Sequence, residues 1–280
     1  MQTGFAFDDQ AIQATAPAEK IGLVATVSPE GRPHLTLLTS LRADHAHRLT
    51  IGEFCKGSSK THMQQNPRVG FLIMTRDRSL WRGKACWTHL RQEGPEYEQY
   101  NNLPMFRYNA YFGINTVHYL DLKALTAKEK LPMGAILTGA LRTRLVKGAL
   151  ADANGEKILS PFAYRLFNRL DTLKFIAHID EDGYPRIIPI IQCQSAGYGR
   201  LAFTMKPFSD ELERITQGSA VAIFGLTMTM EDVLVRGCFR KSRHRLTRLG
   251  GVTIDWVYNS MPPCHGQIYP PIELTPIIDY

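Results

Sequence analysis

A fixed spacing of 152 residues constrains this chain more than any other feature. The segment VATVSPEGRP begins at Val24 and IAHIDEDGYP begins at Ile176. Each has an apolar half-strand, a polar turn with glycine at the same place (Gly31, Gly183), and proline two residues later (Pro33, Pro185). Without a gap, the same spacing carries RLTI at Arg48 onto RLAF at Arg200, and RVGFLI at Arg68 onto AVAIFG at Ala220. WRGKA at Trp81 and VRGCF at Val235 continue the series with the spacing widened to 154. Ordered matches at constant spacing mark a repeated structural unit. The chain therefore reads as two copies of one domain, and 280 residues with 44% apolar composition suffice for two medium cores.

Each copy has the same grammar. In the first, strands are expected at 21–27, 34–42, 48–54, 68–75 and 80–89, with a helix at 58–65 stopped by Asn66-Pro67. In the second, strands are expected at 172–179, 185–193, 200–205, 220–227 and 232–240, with a helix near 208–217. The SPEGRP turn places Gly31 where a hairpin needs a positive φ. Short β-branched and aromatic segments with one helix per copy indicate a mainly β protein with α (α+β). Its architecture is expected to be two tandem antiparallel split β-barrels with short helices.

The division follows: 1–130 as the N-terminal barrel, 131–165 as a helical linker, 166–280 as the C-terminal barrel. In the linker, MGAILTGALRTRLVKGALADANG reads as an amphipathic helix with apolar positions Ile136, Leu137, Leu141, Leu145 and Val146. Between the barrels, GPEYEQYNNLPMFRYNAYF reads as helical, and YFGINTVHYLDL as a closing strand. The five cysteines form no Cys-x-x-Cys pair and suit reduced thiols. The first residues carry acids where a secretory leader would carry bases, and no apolar run approaches a membrane span. The expectation is a cytoplasmic protein with no membrane contact.

A net charge of +7 favours an anionic ligand. The stretch GEFCKGSSKTHMQQNP, residues 52–67, gathers Lys56, Ser58, Ser59 and Lys60 at the junction of a strand and a helix. The helix macrodipole disfavours cations at that end. A phosphate resolves the conflict, because free N–H groups, hydroxyls and ammonium groups all donate to its oxygens. At the 152 spacing, Lys56–Lys60 falls on Phe208–Leu212, and Asp210 and Glu211 there would repel a phosphate. The second copy is expected to lack the site.

With the duplication in place, the chain resembles the FMN-binding split-barrel family, typified by pyridoxamine 5′-phosphate oxidase. ATVSPEGRPHLTLL resembles the family's opening hairpin. LTIGEFCKGSSKTHMQQNPRVGFLI resembles its third strand, Ser-x-Lys phosphate segment, helix, Asn-Pro and fourth strand. WRGKA sits where the family often has a Gly-x-Ala strand. The likeness covers 20–125 clearly and 170–260 more weakly.

The resemblance implies FMN as cofactor, with Lys56, Ser58, Ser59 and Lys60 on its phosphate. Thr36, Leu37, Leu38 and Thr39 would run beside the flavin, Gly52 and Glu53 would end the adjoining strand, and Trp81 and Arg82 would reach a ring edge. Family members pair two barrels with flavin in the cleft, which implies one flavin per chain here, the second barrel supplying a wall. It implies hydride or electron transfer to a small-molecule substrate, with NAD(P)H as a donor and a homodimer as a possible assembly. A deazaflavin satisfies the same loop. Haem is the third cofactor alternative, with His62, His89 or His118 as axial ligands, and a non-catalytic sensor or storage protein is the functional one.

Two departures bear on activity. Thr36 and Leu41 stand where pyridoxamine 5′-phosphate oxidase has basic residues, and its C-terminal Arg-x-His motif is absent from GQIYPPIELTP. No catalytic residue and no metal ligand is named. The basic run RGCFRKSRHRLTRLGG has no aromatic stacking platform interleaving its charges, so nucleic acid is not expected, and a solvated strand-to-helix edge is.

Overall fold

The computed structural model describes residues 3–4, 6–54, 57–104, 113–151, 156–245, 247–259 and 266–273. Contact density divides the chain into two units, Met1–Leu131 with Ala177–Ile187, and Pro132–Ile176 with Ile188–Tyr280. Among the described residues, no helix is long and apolar enough to cross a membrane.

The first sheet contains β1 (Thr3–Gly4), β2 (Ile21–Val27), β3 (Pro33–Leu37), β4 (Arg42–His45), β5 (Arg48–Glu53), β6 (Arg68–Met74), β7 (Ser79–Arg91), β8 (Thr116–Thr126) and β9 (Glu129–Lys130). Helix α1 (Asp9–Thr15) precedes β2, α2 (Ser58–Gln65) joins β5 to β6, and α3 (Pro95–Asn101) lies between β7 and β8. The path runs β3-β2-β6-β7-β8-β5-β4, with β1 on β8 and β9 on β7. β3 and β4 are opposite ends of that path, yet only residues 38–41 separate them in the chain. A flat path of seven strands would put its ends about 29 Å apart. Five residue steps reach at most about 18 Å. The sheet must curl, and it does so around Val24, Leu41, Leu49, Ile51, Phe71 and Leu120.

After helices α4 (Met133–Val146) and α5 (Pro161–Asn168), the second sheet contains β10 (Leu173–Ile179), β11 (Pro185–Pro189), β12 (Gln194–Ser195), β13 (Arg200–Thr204), β14 (Ala220–Leu226), β15 (Asp232–His244), β16 (Thr247–Asn259) and β17 (Gly266–Tyr269). Helix α6 (Ser209–Leu212) joins β13 to β14. The path β11-β10-β14-β15-β16-β13-β12 repeats the first one strand for strand, with β17 on β16. Its interior holds Phe167, Ile176, Leu201, Phe203, Val221 and Phe239.

The repetition extends to register. Arg42 faces Thr50 and Gln194 faces Ala202, each partner 152 positions on. Arg68 faces Cys86 and Ala220 faces Cys238, again 152 on. Beyond the β7–β8 connection the spacing falls to 132, so that Leu49 opposite Leu120 becomes Leu201 opposite Val252. Even the irregularity recurs, between Lys84 and Ala85 in β7 and between Arg236 and Gly237 in β15. This corrects the spacing of 154 for WRGKA and VRGCF. Gly237, opposite Val221, occupies the position of Ala85, opposite Val69, not that of Gly83.

Other expectations need correction. The strand expected over 34–42 is two strands with a corner, where Leu38 N–H donates to Gly22 O (2.7 Å) and Leu41 N–H to Leu38 O (3.0 Å). The chain changes partner there, leaving β2 and joining β5. Ile190 and Cys193 repeat both bonds in the second sheet, to Lys174 O and Ile190 O. The helix near 208–217 shrinks to α6, because Arg214 and Ile215 donate to carbonyls three residues back. The basic run forms two long strands, β15 and β16, not a strand-to-helix edge. The bridging helix ends at Val146 and continues as a 3-10 turn over Lys147–Leu150. Its buried face is Ile136, Gly139, Ala140, Thr143 and Val146, while Leu137, Leu141 and Leu145 are exposed. Only small side chains allow so close an approach: a Cβ on Gly139 would stand 3.0 Å from Thr204 Oγ1.

Candidate functional site

The candidate phosphate site is the first turn of α2. No side chain caps its N-terminus, where Gly57 stands, and no acidic residue occupies its first turn. Cys55 and the expected phosphate ligand Lys56 lie outside the described residues. Lys60 N–H donates to Gly57 O at 3.2 Å. The Lys60 side chain folds back toward its own helix start, so that a Cβ added to Gly57 would stand 3.7 Å from Nζ. Lys60 is only 7% exposed, which places a largely desolvated cation at the positive end of a helix. Ser58 is half-buried and Ser59 buried in the same turn.

Strand β3 holds this helix in place. The hydroxyls of Thr36 and Ser59 are hydrogen-bonded to each other. The alternation of the strand puts His34 on the same face as Thr36, and one helical turn puts His62 near Ser59. The His34 and His62 rings meet edge to face with centroids 5.2 Å apart. His62 Nδ1 lies 3.2 Å from Thr26 Oγ1. Sequence reasoning weighed His62 only as a haem ligand and passed over His34. The signal was present, since positions 34 and 36 share a strand face and 59 and 62 a helix face.

The remaining expected residues separate into groups. Leu37 is half-buried, and Leu38 belongs to the barrel core. Thr39 presents its carbonyl to Lys20 Nζ at 3.1 Å. Gly52 O accepts from Ser40 Oγ at 2.7 Å, and the buried Tyr100 hydroxyl donates to Ser40 O at 2.7 Å. Burial pushes the Tyr100 phenol up to about 12. These bonds fix the end of β5 as it feeds the loop toward α2. Trp81 lies in the core of the barrel, and Arg82 gives its guanidinium to Glu129 at 2.7 and 3.0 Å. The structure thus brings together Thr36, Ser58, Ser59 and Lys60. Gly52 and Glu53 sit at the strand end leading to them, and Trp81 and Arg82 lie along β7.

Glu53 has a partner that the sequence did not reveal. His118 Nε2 lies 2.8 Å from Glu53 Oε2, and Trp87 Nε1–H donates to His118 Nδ1 at 3.1 Å. An indole nitrogen only donates, so Nδ1 carries no proton and Nε2–H points at the carboxylate. His118 is fully buried, with both ring nitrogens engaged. His89 is exposed and stacks on Tyr119 at 4.5 Å.

The second barrel differs at the matching position. α6 has four residues, and its first turn carries Asp210 and Glu211. Leu212, at the position of Lys60, is fully buried among apolar neighbours. Its helix start already has its negative charge.

No family model matches the chain, and no curated protein does. Solved structures do. The HupZ protein of Group A Streptococcus is 16% identical, over 42% of this chain and 91% of its own, with a TM-score of 0.36. An FMN-binding protein from Syntrophomonas wolfei is 12% identical, over 44% of this chain and 86% of its own, also at 0.36. An F420 reductase is 16% identical, over 45% of this chain and all of its own, at 0.34. Each likeness spans less than half of this chain.

Proposed function

We propose that the first barrel binds FMN by its phosphate, through Ser58, Ser59, Lys60 and the N–H groups opening α2, with Lys56 as a further cation. The observation that carries this is the Lys60 ammonium, buried over the uncapped start of its own helix. A cation at that place works against the helix dipole, and its burial carries a desolvation cost. A phosphate with between one and two negative charges reverses both terms and accepts from the adjacent hydroxyls. The donor set therefore fits the group.

Bound flavin supplies hydride and electron chemistry, and the protein supplies position and electrostatics. Thr36 and Ser59 lock the first turn against β3, so the phosphate donors are aimed before ligand arrives. The neutral, Nε2-protonated His118 holds the Glu53 carboxylate on β5, which keeps that charge from swinging onto the phosphate donors. On this reading the chain is an FMN-dependent oxidoreductase acting on a small molecule, with NAD(P)H as electron donor. It takes one flavin, because Asp210 and Glu211 close the matching position in the second barrel. The alternative, a flavin-binding sensor without turnover, rests on the same donors.

Comparing FMN with riboflavin tests the proposal, since the two differ only by the phosphate. FMN is expected to bind at one per chain, about a hundredfold or more tighter than riboflavin. Equal affinity for riboflavin would remove the role given to α2. Reduction of bound flavin by NADH or NADPH separates the enzyme from the sensor, and a deazaflavin titrated alongside separates the two ring systems.

A further inference from the structure

Three lysines are held below the ordinary lysine range by burial, and they are not used alike. Lys20 donates to two carbonyls, Pro17 O at 2.7 Å and Thr39 O at 3.1 Å. Lys174 also donates to two, Arg169 O at 2.6 Å and Ile191 O at 3.3 Å. Both are structural ties. Among the described residues, Lys147 makes a single hydrogen bond, to the neutral side chain of Asn168 (Oδ1, 2.6 Å). An ammonium has three donors, so two remain.

Lys147 lines a groove of about 500 Å³ in the second unit, together with Ala140, Leu141, Arg144, Asn168 and Leu170 among others. Arg144 lies beside Lys147 and adds to the depression of its pKa. No carboxylate among the described residues lines the groove or pairs with either cation. Asn168 is itself fixed, because its Nδ2 donates to Tyr164 O at 2.9 Å, which leaves Oδ1 to aim the ammonium. The opposite chemistry forms the walls. Leu141 is 60% exposed and Leu170 56%, so both present apolar surface to water.

We propose that this groove binds a free aliphatic carboxylate, its chain on Leu141 and Leu170 and its oxyanion on Lys147 and Arg144. Charge complementarity selects the anion, because two adjacent cations without a carboxylate repel each other until one enters. The walls select the chain. The volume lies within the range of sites for small organic ligands. The site is independent of the flavin reading.

Calorimetric titration of the full chain with decanoate, decanol and acetate tests this. One saturable decanoate site is expected, with decanol and acetate each weaker by about tenfold or more, since each lacks half of the recognition. Lys147→Gln should weaken decanoate about tenfold, and Leu141→Ser or Leu170→Ser should weaken it while leaving the thermal melt unchanged. If Lys147→Gln fails to fold, Arg144→Gln at an exposed position carries the same test. Absence of saturable decanoate binding, equal binding of decanol, or indifference to all these variants overturns the proposal. Decanoate that binds only as micelles, with no single-site isotherm, overturns it as well.

Discussion

Thr36 and Ser59 share a hydrogen bond between hydroxyls on a strand and a helix start, and it ties the candidate phosphate turn to the barrel wall. Thr36→Val keeps the shape and removes the bond, leaving the buried Ser59 hydroxyl short of a partner. A stability loss of about 1–2 kcal/mol is expected in denaturant unfolding. Thr36→Val with Ser59→Ala should cost less than the two singles summed, because both remove one bond.

Lys60→Ala separates binding from folding. Loss of one charge-assisted contact should weaken FMN about ten- to hundredfold, read by fluorescence titration, while the protein stays folded. The matching change in the second barrel is Leu212→Ala, at a fully buried apolar position. It should cost about 2–5 kcal/mol of stability and leave the affinity of folded protein for FMN unchanged.

Stability should rise and then fall on the alkaline side. Burial holds Lys20 and Lys174 at about 8 against an ordinary 10.5. Above pH 8 the folded chain sheds these protons first, the unfolded chain binds more, and stability increases with pH. Burial pushes Cys193 from 9.0 and Tyr100 from 10.0 up to about 12. Above pH 9 for Cys193, and above 10 for Tyr100, the unfolded chain sheds those protons first, and these two groups oppose the rise. Chemical denaturation across pH 7 to 11 should therefore show a rise from about 8 that slows above 9 and bends over near 10. Lys174→Met should shrink the rise, and Cys193→Ala should delay the bend.

Two glycines should respond oppositely to alanine. A Cβ on Gly22 would stand 2.4 Å from the Leu38 carbonyl that makes the barrel corner. Backbone must shift to admit it, so Gly22→Ala is expected to cost about 3 kcal/mol or more. Gly134, in the first turn of α4, has nothing within 4 Å of such an atom. Gly134→Ala should gain about 0.4–1 kcal/mol, and thermal melts of both variants decide.

The repeat was legible because turns and pairing leave local marks. Gly31 and Gly183 take the positive φ their positions called for, +72° and +79°, and equal strand lengths between them gave equal registers. The corner at Leu38–Leu41 was not legible. LTLLTSL alternates like one strand, and a change of pairing partner leaves no local trace. Helix α5 was visible but passed over: Ser160 caps it, accepting from Ala163 N–H at 3.2 Å, and Pro161 opens it. Of the apolar positions expected on α4, Ile136 and Val146 are buried while Leu137, Leu141 and Leu145 are exposed, because a count of apolar residues passes over the glycine and alanine that make the contact. In the candidate site, the two hydroxyls and the cation of 58–60 were readable as a group. The partner of Glu53 was not, because His118 is distant in sequence and joins it only through β8.

Between β7 and β8 the first barrel carries some twenty residues more than the second does between β15 and β16, and the hydrogen-bonded frame on either side is the same. Strand pairing is kept whatever hangs from that junction, although in the first barrel α3 hangs there and its Tyr100 bonds back to Ser40 beside β5. The second barrel keeps the same pairing with the shortest version of that connection, so its length is a freedom the fold leaves open.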